Sequence, residues 1–105
     1  MKIDIKYTGV DSTPAIEEYI NEKIGALAKF IQGLEKGTEL KAFVEIGRTT
    51  KHHQKGPVFR AECNVEVPGT ILRVEHEDWD IRVAIDKIKN VMQGRIKKYL
   101  ETHRP

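Results

Sequence analysis

The chain has 105 residues, 39% hydrophobic and 32% charged, and its 18 Lys and Arg against 16 Asp and Glu leave a formal net charge of +2. That length predicts one domain, residues 1–105, around one core, and the composition excludes a disordered or fibrous chain. No apolar run approaches the ~20 residues of a membrane span, Met1-Lys2-Ile3-Asp4 does not open a signal peptide, and the single cysteine, Cys63, fits a reducing compartment, so a cytoplasmic protein with no membrane partner is expected.

Lys2–Thr8 alternates Ile3, Ile5 and Tyr7 with Lys2, Asp4 and Lys6, the period-two pattern of a half-buried strand. Thr13-Pro14 supplies an N-cap and a proline for the first helical turn. Ile16, Ile20, Ile24, Leu27 and Ile31 then recur at helical spacing, so the first helix is predicted to about Gln32, ended by Gly33. Leu40, Ala42, Val44 and Ile46 alternate in a second strand, and Phe59, Ala61, Cys63, Val65 and Val67 in a third. Pro68-Gly69 turns tightly into a fourth strand over Ile71–His76. Asp78 is placed to cap a second helix with Ile81, Ala84, Ile85, Ile88, Met92 and Ile96 on one face. Trp79, just before that helix, is expected to cover the end of the core.

The order is therefore β-α-β-β-β-α. A helical crossover favours parallel pairing of the first two strands, and the short later links favour antiparallel neighbours. Each helix has one apolar stripe and each strand one mainly apolar face. An α+β fold satisfies all of them: a four-stranded mixed sheet with two helices packed on one face.

Charge is distributed unevenly. Trp79–Pro105 holds seven Lys and Arg against three acids, directly after Glu62–Asp78 with five acids and one Arg. Arg48–Ala61 adds Arg48, Lys51, Lys55 and Arg60 with no acid. Two basic zones in a near-neutral chain point to a polyanion met in a defined orientation. Placed at 100° per residue, Lys23 and Arg95 fall inside the apolar stripes of the two helices. Either their stems pack while their heads reach water, or both heads emerge beside the helix pair to meet an anion. Lys87 and Lys98 share one flank of the second helix, Arg82 and Lys89 the other, and Lys97 is outermost. The segment Arg48–Pro57 reads as a long hairpin loop, serving either solubility and turn formation or phosphate contact through Arg48, Lys51 and Lys55.

Catalytic chemistry is missing from the pattern. The sequence has no glycine-rich phosphate loop, no G-x-S-x-G and no Cys-x-x-Cys. His52-His53 lacks the further ligands of a metal site. No enzyme activity, cofactor, metal or small-molecule substrate is expected.

Thr13-Pro14-Ala15-Ile16-Glu17-Glu18-Tyr19-Ile20-Asn21-Glu22-Lys23-Ile24 resembles the first helix of the ribosome hibernation-promoting factor family, also called the ribosome-associated inhibitor or sigma-54 modulation protein family. Val67-Pro68-Gly69-Thr70-Ile71-Leu72-Arg73-Val74-Glu75, followed by Asp78 to Asp86 and Lys87, resembles its strand-turn-strand and second-helix signature. The resemblance implies a fold similar to double-stranded RNA-binding domains, lodged in the decoding channel of the small ribosomal subunit. Its partners would be the 30S subunit, the 70S ribosome and 16S rRNA, and its action the reversible inhibition of translation. Positions that would touch the rRNA are Lys23 and Lys29 on the first helix, Lys87, Arg95, Lys97 and Lys98 on the second, and Arg73 in strand four. Because the chain ends after the second helix it resembles the family's short form, without a C-terminal dimerising domain. Two other readings fit the pattern: a generic double-stranded RNA-binding module, and a protein-interaction domain using the open strand face around Phe43.

Overall fold

The structure, a computed structural model, describes residues 1–49 and 58–103. Its elements run β1 (Lys2–Thr8), α1 (Pro14–Gly25), α2 (Ala28–Ile31), a single 3₁₀ turn (Gln32–Leu34), β2 (Lys41–Thr49), β3 (Val58–Val67), β4 (Thr70–Asp78) and α3 (Ile81–Thr102). The strands form one mixed sheet in the order β1-β2-β3-β4. β1 lies parallel to β2, while β2–β3 and β3–β4 are antiparallel, so the expected α+β architecture is the one observed.

Register brings the apolar positions into rows across the sheet. Ile3, Ala42, Val65 and Leu72 align, as do Ile5, Val44, Cys63 and Val74, then Tyr7, Ile46 and Ala61. All of these rows face the helices. Ile20, Ile24, Leu27 and Ile31 from the first helical stretch meet Ile85, Met92 and Ile96 of α3 in one cluster with no exposed surface. Each such side chain contributes roughly 1.5–3 kcal/mol through burial. Thr13 caps α1 as expected, its hydroxyl accepting the Ile16 N–H at 3.2 Å. Between β3 and β4 the two-residue turn needs a left-handed backbone at its second residue, and Gly69 provides it at φ +87°. The Tyr99 hydroxyl donates to the Pro68 carbonyl at 2.5 Å, fastening the far end of α3 to that turn.

Several local expectations are corrected. The first helix is not continuous to Gln32. After Gly25 the Leu27 N–H bonds to the Ile24 carbonyl, three residues back, and this tightened step separates α1 from α2 while keeping Leu27 and Ile31 buried. Asp78 does not cap α3; it ends β4, and Asp80 caps the helix by accepting from the Arg82 and Val83 N–H groups. Asp78 instead accepts the Asp80 N–H at 2.8 Å. β4 exceeds the expected Ile71–His76 because Phe59 of β3 continues the ladder to Asp78. Arg48 belongs to β2, paired with Phe59, rather than to a loop. Trp79 does not cover the core; 53% of its surface is exposed.

Ile88, 1% exposed, sits at the centre of the α3 stripe. Ile88→Ala is expected to destabilise the fold by roughly 2–5 kcal/mol in a denaturant titration. A loss below about 0.5 kcal/mol would show that this stripe does not carry the core.

Candidate nucleic-acid interface

The sheet takes the inner line of α3, and its six Lys and Arg side chains are left to the flanks and the outer surface, with only Asp86 and Glu101 as acids. The two flanks differ. Along the α1–α3 seam the cations rest on aromatic rings. Lys23 Nζ and the Arg82 guanidinium each lie 5.5 Å from the centre of the Tyr19 ring. Lys29 and Lys97 flank Phe30 in the same way, at 5.2 and 5.3 Å. A ring within about 6 Å attracts a cation without neutralising it, so Arg82, Lys29 and Lys97 keep their charge for an outside anion, whereas Lys23 also meets a carboxylate. Asp86 ties the seam together: it accepts the Tyr19 hydroxyl at 2.5 Å and pairs with Lys23 at 3.7 Å.

Lys23 is therefore half-buried with its head at the surface, as a snorkelling side chain should be. Arg95 departs from the expected position in the core stripe. It is exposed, because β4 is the edge strand and, among the described residues, no further strand covers the line of α3 on which Arg95 stands. It lines an open groove against β4 together with Lys98. Lys87, one turn before Val91 on the same flank, is exposed as well. Among the described residues, none of these three side chains meets a carboxylate.

Arg73 is not brought together with them. It stands on the opposite face of the sheet, with Nε 2.6 Å from Glu62, while Arg60 pairs with Glu62 and Glu75. This network explains why Glu62 is tolerated at 7% exposure on the open face. Phe43, 39% exposed, faces the same side in register with Asn64. Arg48 lies over the Phe59 ring at 5.4 Å, at the far end of β2. Lys51, Lys55, His52 and His53 lie outside the described residues. The aromatic supports Tyr19 and Phe30 were not legible as site residues, since at helical spacing they read as core; only the coincidence with Lys23 and Lys29 one turn away or adjacent hints at their use.

The single thiol is held in its protonated form. Burial and the neighbouring Glu62 carboxylate push the Cys63 thiol up to about 12, so it stays protonated in the core. Among the described residues no group of three or more His, Cys, Asp or Glu side chains is placed to hold a metal ion, and no helix is long and apolar enough to cross a membrane.

Residues 3–104 match the family model described as sigma 54 modulation protein / S30EA ribosomal protein. The chain is 28% identical over 99 residues to a ribosome hibernation promotion factor of Lactococcus lactis, covering 94% of this chain and 49% of the relative. It is 26% identical over 90 residues to a protein of the same name from Deinococcus radiodurans, covering 86% of this chain and 44% of the relative. The chain thus spans about half the length of these relatives. Among solved structures it is similar to the N-terminal domain of Protein Y from Thermus thermophilus, with a TM-score of 0.74 and 29% identity over 94% of this chain and 99% of that one. A ribosomal subunit interface protein from Coxiella burnetii has the same fold, with a TM-score of 0.74 at 21% identity over 94% of this chain and 97% of that one.

The seam makes its own prediction. The hydrogen bond to Asp86, then burial, pushes the Tyr19 hydroxyl up to about 12 from 10.0. A raised folded-state pKa means that this bond stabilises fully below pH 10.0 and that its contribution is lost as pH rises through about 12. Asp86→Ala should bring the Tyr19 pKa back toward 10.0 in an NMR titration of the tyrosine rings. An unchanged Tyr19 titration would break the seam as described.

Proposed function

This chain belongs to the sigma 54 modulation protein / S30EA ribosomal protein family, and we propose that it is a ribosome hibernation factor. It docks in the decoding channel of the small ribosomal subunit, where messenger RNA and tRNA lie, and reversibly silences translation in the cytoplasm. The observation that supports this most is the one-sided supply of unneutralised cations. Lys87, Arg95 and Lys98 stand unpaired on one flank of α3 among the described residues, and Lys97 joins Lys29 on Phe30 across the seam. Lys23 of α1 stands beside them, its charge shared with Asp86 at 3.7 Å. The arginines of the opposite sheet face are taken up by their own glutamates, so Arg73 is left out of the contact surface.

Phosphates of 16S rRNA are the natural partners of such a surface. Lysine and arginine heads release counterions on docking, and the geometry of the helix pair sets which phosphates are reached together. Nothing in this mode of action needs a cofactor or a nucleophile. A rigid body carrying the 22-residue α3, a helix about 33 Å long, inhibits by occupying the channel. Release leaves the ribosome chemically unchanged.

Two outcomes test the reading. Binding to small subunits should weaken steeply with salt, and each phosphate contact removed should lower the slope of log affinity against log salt by about 1. Lys87→Glu with Lys98→Glu should abolish cosedimentation with the small subunit and leave the melting temperature nearly unchanged; retained cosedimentation at equal salt would move the contact surface elsewhere. In cell-free translation, inhibition should follow the ratio of protein to ribosome and be relieved by messenger RNA and initiator tRNA. Inhibition at a small fraction of one protein per ribosome, or inhibition that persists after washing, would contradict occupancy.

A further inference from the structure

Between β4 and the last turns of α3 runs an open groove of about 650 Å³, whose lining includes Leu72, Val91, Gly94, Arg95, Lys98 and Tyr99. None of the described residues lining it is acidic. Leu72 is half-buried and Val91 41% exposed, so the floor is apolar and accessible. The groove is backed by Tyr99, whose ring carries the His103 ring stacked at 4.0 Å and 17°. Apolar floor and cationic rim thus occupy one trough.

Gly94 adds an independent observation. It stands inside the 22-residue α3, where glycine is less favourable than any residue but proline. Gly69 is required by its positive φ, whereas a Cβ on Gly25 would make only ordinary contact, 4.0 Å from Ile3 Cδ1. A Cβ on Gly94 would meet nothing within 4 Å. No neighbour in the described chain requires the missing methyl. The bare backbone at Gly94 thus leaves open surface in the lining of the groove.

We propose that this groove takes one unpaired nucleotide of ribosomal RNA. The base lies on Leu72 and Val91 above the bare backbone of Gly94, and the flanking phosphates pair with Arg95 and Lys98. The inference rests on the ribosomal reading above and refines it. An acidic peptide would use the two cations but would have no use for a flat apolar floor at a glycine. Paired bases hide their faces, so a duplex is excluded from the trough. Leu72, Val91 and Gly94 offer a base an apolar face, with Thr70, Thr102 and His103 at the margin of the groove, so stacking leads recognition and favours the larger faces of purines.

The test uses a single-stranded oligoribonucleotide carrying 2-aminopurine, and a hairpin of equal length in which that base is paired. The protein should quench the fluorescence of the single strand and bind it roughly tenfold more tightly than the hairpin. Gly94→Ala should raise the melting temperature and weaken single-strand binding. Gly94→Leu should fill the trough, weaken that binding by roughly tenfold and not lower the melting temperature. Unchanged single-strand affinity in Gly94→Leu, equal affinity for the hairpin, or displacement of the RNA by an oligoglutamate peptide of equal charge would each overturn the proposal. Cosedimentation of the wild-type protein with small subunits separates the two levels. If it fails, the ribosomal reading falls and this inference with it. If it succeeds without quenching, only this inference falls.

Discussion

Four strands about 4.8 Å apart make a sheet nearly twice as wide as one helix of about 10 Å, so one helix cannot cover it. The apolar rows running from Ile3 and Ile5 through β2 and β3 to Leu72 and Val74 must all leave water, and they require two helices side by side. This constraint shapes the rest. The line of α3 from Ile85 to Ile96 is committed to the sheet, and its remaining surface is free for charge. Where the helices meet above the core, their polar flanks face each other, and Tyr19, Asp86 and Lys23 connect them there.

The same layering separates two electrostatic surfaces. On the open face of the sheet, strand spacing places Arg60 and Arg73 within reach of Glu62 and Glu75, and the charges cancel locally. On the helix side most cations lean on rings or stand free of acids among the described residues, while Lys23 also pairs with Asp86. Aromatic contact holds a lysine in place yet leaves its charge available, whereas a carboxylate holds it and removes the charge. One chain with a net charge of only +2 therefore presents a cationic front and a self-compensated back.

The core was legible because periodicity is a property of the chain alone. Ile16, Ile20, Ile24 and Leu27, or Val44, Cys63 and Val65, follow the period of their own element, and all are buried. What was misread depended on neighbours. Arg95 lies on the apolar line of its helix, and its exposure comes from the place of β4 at the edge of the sheet. Asp78 and Asp80 are equally good caps in sequence; the ladder to Phe59 claims the first and leaves the second for the helix. Arg48 reads as the start of a loop only if the length of β3 is unknown. The cations of the site could be named individually, but their division into a ring-supported seam and a trough beside β4 needed the packed helices.

The parallel pairing of β1 with β2 has a consequence for how the chain reaches this structure. β3 and β4 are joined by a two-residue turn and α3 follows at once, so their contacts close short loops. Lys2 must instead find Lys41 across the whole helical crossover. Loop-closure entropy rises with that separation, and contacts of long range form late. The β2-β3-β4 meander with α3 is thus the natural nucleus, with β1 and α1 condensing onto it afterwards. In a chain emerging N-terminus first, β1 then waits without its partner strand, and the alternation of Lys2, Asp4 and Lys6 with Ile3 and Ile5 keeps that waiting strand charged on one face and discourages it from pairing with a second copy.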